Sequence, residues 1–196
     1  PFNTVYSKDI LGNQVESPVA DWDTKRAWVD YAFTEFQQAG YSVSSAYTVV
    51  KDPSKVNFSY RDNLWQGADL LATGIASFGH ASGVHYQNLA ELEQYLGTIE
   101  SGQLPLGRGF VPTDHQRLVR EMILLLKRGY LDAGYFRNKF GVEIIEKFAE
   151  QWQTYVTDGY VELNGDEVRL TKSGLLRVDG LLPAFFESNF QGVRYT

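Results

Sequence analysis

Residues 60–88 read YRDNLWQGADLLATGIASFGHASGVHYQN, and the fold prediction depends on this stretch. Ala68–Ile75 is a mostly apolar run of the length of a buried strand, and we expect a strand there. Gly74 lies within the run, Gly79 and Gly83 follow it, and small residues lie between these glycines. Small side chains expose the backbone, and α/β proteins bind ligands at the carboxyl ends of strands, so the segment is a candidate ligand loop. The alternative is a glycine-rich connection that binds no ligand.

The segment before this stretch predicts further α/β structure. Phe2–Tyr6 alternates between apolar and polar residues, as the end of a strand does. Asp21 predicts the start of a helix from about residue 22 to 39, and Gly40 predicts its end. Tyr41–Val50 is rich in β-forming residues and predicts a strand. The apolar side chains of the expected helix form one stripe: Trp28, Val29, Ala32, Phe33 and Phe36.

A second helix and a linker are predicted after the quoted stretch. Asn88 and Glu91 have the spacing of a capping box, and Gly102 predicts the end of the helix that they begin. Residues 102–112 contain two prolines and three glycines, so we place a domain boundary in this segment. The predicted domains are residues 1–104 and residues 105–196. The apolar side of the helix is formed by Leu89, Leu92, Leu96 and Ile99.

The last third of the chain is predicted to be mostly helical. Thr113 and Gln116 form a capping box for a helix that ends at Gly129, and Asp132 caps a short helix. One further helix extends to Asp158-Gly159. The buried faces of these helices are expected at Val119, Met122, Ile123, Leu126, Tyr135, Phe136, Ile144, Phe148, Trp152 and Tyr155.

A β-hairpin and a final helix complete the predicted C-terminal domain. Asn164-Gly165 favours the tight turn of a hairpin between strands at residues 160–163 and 168–170. Thr171 caps the final helix. Helices followed by a hairpin resemble a winged-helix arrangement. The final helix carries its apolar side chains at Leu175, Val178, Leu182 and Phe186.

Charge and hydropathy argue against nucleic acid and membrane partners. The 196 residues carry a net charge of −6, whereas non-specific phosphate binding needs a basic face. The predicted recognition helix carries Glu143, Glu146 and Glu150, which DNA phosphates would repel. No apolar run approaches the ~18 residues that span a bilayer, and the start at Pro1–Thr4 lacks the basic and then apolar stretch of a signal peptide, so we expect none. We expect a cytoplasmic protein whose winged-helix-like unit packs against the rest of the molecule.

The chain contains no cysteine, which excludes disulfide bonds, thiolate metal sites and iron–sulfur ligation by its own residues. It begins at Pro1 and not at methionine, so we expect a fragment or a processed product.

Histidine and arginine are the candidate functional side chains. His80 and His85 lie five residues apart, outside the i, i+4 spacing of helical metal ligands, and a surface role is the alternative to metal binding. Eight basic and five acidic residues lie between Gly107 and Lys147. Arginine binds carboxylates through paired hydrogen bonds, so this segment favours either a polycarboxylate ligand or a solvated helix face.

Several segments together resemble a known family. DLLATGIASFG at residues 69–79, followed by Tyr86-Gln87-Asn88, resembles the late strand and loop of the oxygen-independent coproporphyrinogen III oxidases, a family of radical S-adenosylmethionine enzymes. The resemblance covers most of the chain from about Tyr41 onward. Further segments fit in the same order: Tyr95, Gly102–Pro105, Arg117–Arg120, Phe136, Phe140-Gly141, Asp158–Val161 and Leu170–Leu176.

The resemblance implies an α/β fold: the C-terminal part of an incomplete parallel β/α (TIM-like) barrel, followed by a helical, winged-helix-like domain. In the family, a CxxxCxxC loop holds a [4Fe–4S] cluster that reductively cleaves S-adenosylmethionine. The resulting 5′-deoxyadenosyl radical abstracts hydrogen from a propionate of coproporphyrinogen III, and loss of carbon dioxide gives a vinyl group. This chain lacks the cysteines and the front half of the barrel, so we expect it to be inactive alone.

The resemblance also implies residues of a binding site, although none that is catalytic or that binds a metal. In the family, the backbone after the late strand lines the S-adenosylmethionine pocket, and the matching residues are Gly74, Ile75, Ala76, Ser77 and Phe78. The expected contacts to substrate propionates are Arg61, Arg108, Arg117 and Arg120. The expected partners are a porphyrinogen or haem-like molecule and the N-terminal half of the barrel.

Relatives of this architecture perform different chemistry, so alternatives remain open. One is a haem-binding chaperone, in which His80 or His85 would be a candidate axial ligand. Another is a radical S-adenosylmethionine methyltransferase. A third is a non-catalytic interaction module whose exposed sheet edge is covered by another chain.

Overall fold

The computed structural model describes residues 20–191, and the predicted strand Phe2–Tyr6 lies outside them. Helix α1 (Trp22–Gln38) begins where the Asp21 cap predicts, because the Asp21 carboxylate accepts a hydrogen bond from the backbone N–H of Thr24 at 2.7 Å. The predicted single strand over residues 41–50 is wrong. Two short antiparallel strands form there, β1 (Ser42–Ser45) and β2 (Thr48–Val50), because the chain turns between them.

The predicted buried strand Ala68–Ile75 does not form. Helix α2 (Ser59–Trp65) is followed by an irregular segment, in which Leu71 is 77 % exposed. An antiparallel hairpin follows, of strands β3 (Phe78–Ala81) and β4 (Val84–Asn88). The apolar run lacks a partner strand, and only Leu70 forms an isolated bridge, to His80.

The predicted helix start at Asn88 is also wrong. Asn88 ends β4, and its amide donates to the carbonyl of Gly74 at 3.0 Å instead of capping a helix. Helix α3 (Leu92–Glu100) begins at the Glu91 cap. The predicted linker contains strand β5 (Leu106–Phe110), which pairs antiparallel with β4, so this segment is part of a three-stranded sheet.

The C-terminal elements enclose the buried core. The capping box at Thr113 and Gln116 forms as predicted, and so do the caps at Asp132 and Thr171. The predicted helix over Ile144–Tyr155 is broken in two at Phe148. The helices are α4 (Asp114–Leu126), α5 (Ala133–Phe140), α6 (Ile144–Lys147), α7 (Ala149–Thr157), α8 (Lys172–Leu175) and α9 (Val178–Leu181), followed by 3₁₀ turns at Leu182–Phe185 and Ser188–Phe190.

The core is contributed almost entirely by residues 118–185. Trp152, Phe136 and Met122 are its large, fully buried side chains, and the Trp152 indole N–H donates to the carbonyl of Ile144 at 3.0 Å. The predicted hairpin is present as β7 (Val161–Asn164) and β8 (Glu167–Leu170). Strand β6 (Tyr130–Asp132) was not predicted and extends this sheet in the order β6-β8-β7.

The mixed α/β character is confirmed, whereas the parallel pairing of a barrel is absent from residues 20–191. Every strand pair in this range is antiparallel. The helices of the C-terminal unit surround an antiparallel three-stranded sheet, and the winged-helix assignment and the domain boundary at residue 104 stay predictions. None of the helices in residues 20–191 combines the length and hydrophobicity that crossing a bilayer requires.

Two predicted apolar stripes face outward. On α1 only Phe33 is buried, while Trp28 is 62 % exposed. On α3, Leu92, Leu96 and Ile99 are all exposed. The expected packing of these stripes is therefore confirmed only at Phe33, and the other large side chains of both stripes are exposed within residues 20–191.

Candidate functional site

One face of the β3-β4-β5 sheet carries four of the predicted functional side chains: Phe78, His80, His85 and Arg108. Cross-strand register aligns Phe78 with Gln87 and Arg108, and aligns His80 with His85 and Phe110. Directly opposed residues in antiparallel strands project to the same side, and so do residues two apart. We call this side the histidine face; its members are Phe78, His80, His85, Gln87, Arg108 and Phe110. Its two rows are separated by about 7 Å, the rise of two strand residues.

Tyr86 covers the opposite side of the sheet. A Cβ atom at Gly79 would lie 2.2 Å from Cζ of Tyr86, so the ring lies across the glycine backbone. The Tyr86 hydroxyl also accepts a hydrogen bond from the backbone N–H of Ala72 at 2.9 Å. The Tyr86 ring therefore occupies part of the opposite side, whereas Phe78 and Phe110 of the histidine face are exposed.

The two histidines form a close cross-strand pair. Their ring centroids lie 4.5 Å apart, and His80 is buried. Burial, the positive charge of Arg120 and then His80 lower the pKa of His85 to about 4. His85 is therefore neutral at physiological pH, and its imidazole can donate or accept a hydrogen bond.

Arg120 on α4 lies where three clefts adjoin. It lines a polar cleft of about 350 Å³ with His80 and Arg117, and two more apolar clefts of about 440 and 780 Å³ with His85 and Phe186. Burial lowers the pKa of its guanidinium, and among residues 20–191 the one charge acting on it is that of Glu121. Because Glu121 is bonded to other groups, Arg120 is a half-buried cation without a hydrogen-bonded partner in the described part of the chain.

The other three predicted arginines occupy different surroundings. Arg117 pairs with Asp114 in the polar cleft. Arg61 pairs with Asp62 at 2.8 Å, and its guanidinium lies over the rings of Phe58 and Trp65. Arg108 lies on the histidine face. The structure thus brings Arg117 and Arg120 together in one cleft and places Arg61 and Arg108 elsewhere.

The predicted cofactor residues form an ordered loop beside the histidine face. Asn88 donates to the carbonyl of Gly74, and Gln87 donates to the carbonyl of Ala76 at 2.9 Å. The backbone N–H of Gly74 donates to the hydroxyl of Tyr95 at 3.1 Å. Most of the loop's polar backbone is therefore satisfied internally.

The exposed side chains that this loop presents to a ligand are apolar. Ile75 is 43 % exposed and Phe78 is 59 % exposed. Gly74 has a φ of +92°, which only glycine adopts at little cost. The residues fit the adenosine and methylene parts of S-adenosylmethionine as apolar walls, whereas they offer no charged group for its carboxylate.

The residues do not fit the iron–sulfur cluster. The chain has no cysteine, and residues 20–191 contain no group of three or more histidine, aspartate or glutamate side chains arranged to bind a metal ion.

A buried ionic network behind Arg120 was missed by sequence reasoning. The ammonium of Lys139 donates to both carboxylate oxygens of Glu121 at 2.8 and 2.9 Å, and to the carbonyl of Gln66 at 2.6 Å. The hydroxyl of Tyr135 donates to Glu121 at 2.6 Å. Burial and then this hydrogen bond raise the pKa of Tyr135. The network connects α4 and α5 to the turn after α2, and a Cβ atom at Gly67 would lie 2.4 Å from the Glu121 carboxylate.

The lowered pKa of His85 predicts a pH-dependent stability. The unfolded histidine takes up a proton near its ordinary pKa of 6.5, whereas the folded one does so only near 4. The unfolded state therefore binds more protons between these values, and stability decreases as the pH falls from 6.5 to 4. We expect the urea midpoint of the full-length protein to fall less over this range in His85→Phe than in the wild type. Equal slopes would contradict the assignment.

Sequence comparison finds relatives that share one name. The chain is 26 % identical to the oxygen-independent coproporphyrinogen III oxidase of Pseudomonas aeruginosa over 121 residues, which are 60 % of this chain and 26 % of that protein. The oxidase of Helicobacter pylori is 25 % identical over 119 residues, which are 59 % of this chain and 26 % of that protein. The oxidase of Bradyrhizobium diazoefficiens is 27 % identical over 123 residues, which are 61 % of this chain and 27 % of that protein. The chain spans about a quarter of the length of the curated relatives it matches.

Structure comparison finds the same kind of protein. The fold is similar to that of the coproporphyrinogen III oxidase of Escherichia coli, described as a radical SAM enzyme, with a TM-score of 0.67 and 19 % identity. The match covers 91 % of this chain and 44 % of that enzyme. No protein-family model matches the chain. The predicted resemblance is confirmed: in sequence the chain is similar to the oxygen-independent coproporphyrinogen III oxidases, and it has the fold of part of one such enzyme.

Proposed function

We propose that the chain is part of a radical S-adenosylmethionine enzyme of the oxygen-independent coproporphyrinogen III oxidase type, a cytoplasmic oxidoreductase of haem biosynthesis. Within it, the histidine face forms one wall of the active site. The loop Gly74–Phe78 borders the cofactor, and Arg120, with Arg117 beside it, contacts a substrate propionate. The similarity to the named oxidases and the fold support this assignment.

The observation that carries the proposal is the guanidinium of Arg120, which has no hydrogen-bonded partner among residues 20–191. A half-buried cation of this kind favours an anionic ligand, and arginine matches the geometry of a carboxylate. The clefts that Arg120 shares with His85 are walled by Phe110, Phe186 and Phe190, which suits a flat apolar body attached to that carboxylate. A porphyrinogen combines these two features.

The spacing of the histidine face suits a reaction between two ligands. The row that contains Phe78 borders the cofactor loop, and the row that contains His85 lies next to Arg120. Since the rows are about 7 Å apart, ligands held at the two ends would meet over the sheet. When bound, S-adenosylmethionine supplies the radical chemistry of the family. The residues of this chain hold the ligands and exclude water.

The remainder of the enzyme is proposed to cover the exposed apolar surface next to the cofactor loop. Leu71, Leu92 and Leu104 are among its exposed side chains. Large exposed apolar side chains of this kind are expected to be covered by an interface. The barrel half that carries the cluster is the proposed occupant, and residues 1–196 alone are expected to be inactive.

Phe78→Asp should weaken S-adenosylmethionine binding to the full-length protein at least tenfold, because it places a negative charge on an apolar wall. Isothermal titration calorimetry measures this affinity. Leu163→Asp, on an exposed strand of the C-terminal sheet, is the matched control and should leave the affinity unchanged. An unchanged affinity in Phe78→Asp would contradict the assignment of the loop.

The reaction itself is tested by anaerobic incubation of the reconstituted full-length protein with S-adenosylmethionine, a reductant, an electron acceptor and coproporphyrinogen III. The proposal expects mass loss from the substrate that corresponds to carbon dioxide and hydrogen. A substrate mass that stays unchanged, or that increases by a methyl group, would contradict it and favour a methyltransferase relative.

A haem-binding chaperone is the second candidate, and the neutral state of His85 favours it. Neutral imidazole is the form that ligates iron, and His85 lines the two apolar clefts, whereas His80 is buried. On this alternative, adding haem to the full-length protein shifts the Soret band, and His85→Ala removes the shift. The oxidase proposal expects no such shift.

A further inference from the structure

A side-chain contact fixes residues 186–190, which we call the aromatic segment, against α4. The side-chain amide of Gln116 donates to the carboxylate of Glu187 at 2.8 Å. Glu187 lies between Phe186 and Phe190 in the chain, and all three line the cleft of about 440 Å³ that Arg120 also lines. Within residues 20–191, this is the one hydrogen bond that joins the aromatic segment to α4.

The helix itself orients the Gln116 side chain. Its oxygen accepts a hydrogen bond from the backbone N–H of Thr113 at 2.9 Å, which completes the capping box and leaves the amide nitrogen to Glu187. Arg120 follows four residues later on α4, and residues four apart share a helix face. One face of α4 therefore holds the aromatic segment through Gln116 and carries the guanidinium proposed to bind the substrate.

The Glu187 carboxylate is a potential competitor for that guanidinium. Glu187 and Arg120 line the same cleft, and a carboxylate is the group that a guanidinium binds best. The one charge that acts on Arg120 among residues 20–191 is nevertheless that of Glu121. The Glu187 carboxylate is instead bonded to the Gln116 amide, so Arg120 stays available to a ligand.

We infer that Gln116 is a positioning residue for the substrate. Through Glu187 it holds Phe186 and Phe190 as an aromatic wall beside Arg120, and it keeps the Glu187 carboxylate from pairing with that guanidinium. The separation of wall and guanidinium then determines which flat, carboxylate-bearing molecule fits the cleft. This inference rests on the proposed function and names the contact that shapes its substrate cleft.

Gln116→Glu tests the inference by calorimetric titration of the full-length protein with coproporphyrin III. The new carboxylate still accepts the hydrogen bond from Thr113, so the helix cap is retained. It cannot donate to Glu187, and the two adjacent negative charges repel each other. We expect the dissociation constant for coproporphyrin III to rise about tenfold, and that for S-adenosylhomocysteine to stay within about twofold of the wild type.

Two further variants separate the contact from a general effect on folding. In the double variant Gln116→Glu/Glu187→Gln, the amide introduced at position 187 donates to the carboxylate introduced at position 116, so the bond is re-formed in the opposite direction. The coproporphyrin III affinity should return to within about threefold of the wild type, which two independent losses would not allow. Glu187→Ala removes the same bond without altering the cap of α4 and should weaken binding about threefold.

The matched control is Gln153→Glu, which adds the same charge at an exposed glutamine of α7 outside the clefts and should change neither affinity. Unchanged coproporphyrin III binding in Gln116→Glu, or a double variant that binds no better than Gln116→Glu alone, would overturn the inference. Equal weakening of both ligands would overturn it as well. If the wild-type protein does not bind coproporphyrin III, the proposed function fails instead.

Discussion

Arg120→Met should raise the KM for coproporphyrinogen III about 100-fold and leave kcat within a few-fold of the wild type. The variant removes a half-buried guanidinium whose only role on the proposed account is to hold a substrate carboxylate. Truncating one partner of a buried charged pair costs about 2–5 kcal/mol, and 1.4 kcal/mol corresponds to a tenfold change in affinity. Because the same contact exists before and during the reaction, the loss falls on KM rather than on kcat.

Arg128→Met is the matched control for Arg120. Arg128 is half-buried in the turn that follows the same helix, and its guanidinium donates to the hydroxyl of Tyr130 rather than lining the clefts. It should leave KM unchanged. Steady-state kinetics on the reconstituted full-length protein give both constants. If Arg120→Met changes kcat alone, or neither constant, Arg120 does not bind the substrate.

Lys139→Met should lower the free energy of unfolding by about 3 kcal/mol, a larger effect than that of Glu121→Gln. Removing the lysine leaves a nearly fully buried carboxylate without its cation, and an uncompensated buried charge costs about 3–5 kcal/mol. Glu121→Gln leaves a lysine whose side chain is 39 % exposed and can reach water, so a loss of about 1–2 kcal/mol is expected.

Native-state hydrogen exchange of the α4 amides in the full-length protein measures both losses. Lys172→Met is the control, because its ion pair with Asp30 is exposed on both sides and should contribute less than about 1 kcal/mol. A Glu121→Gln loss that equals or exceeds the Lys139→Met loss would show that the network is not dominated by the buried carboxylate.

Helix caps could be predicted from the sequence because their partners are local. Asp21, Thr113 and Asp132 each accept a hydrogen bond from a backbone N–H two or three residues later, so residue type and spacing suffice. The same reasoning failed at Asn88, whose side chain bonds to Gly74, fourteen residues earlier. Asn88 thus bonds to a distant backbone carbonyl instead of capping the helix next to it, and the spacing of Asn88 and Glu91 does not indicate this.

The apolar run at residues 68–75 was misassigned for a related reason. Composition alone predicts burial, whereas a strand also needs a partner at the right register. The tight turn at Ser82-Gly83 pairs residues 78–81 with residues 84–87, and the run before them stays irregular. On α1 and α3 the apolar periodicity predicted packing faces, but within residues 20–191 only Phe33 of their large side chains is buried.

In the candidate site, too, features with a local signal could be predicted from the sequence, and features that depend on distant partners could not. Charge pattern and family resemblance selected Arg120 and the loop at residues 74–78, and the structure places both beside the histidine face. The alignment of Gln87 with Arg108 on the histidine face depends on the pairing of β4 with β5, which lie on either side of α3. The network of Glu121 and Lys139 likewise joins two helices. The alternation of side chains along β4 could have placed His85 and Gln87 on one face of the sheet. It does so only once residues 84–88 are known to form a strand.

A crystal structure of the full-length protein with S-adenosylhomocysteine and coproporphyrin III would test the central claim most directly. The account predicts both ligands on the histidine face: the adenosine against Phe78, and a propionate at Arg120. Either ligand on the Tyr86 side of the sheet, or a porphyrin that does not contact Arg120, would contradict it.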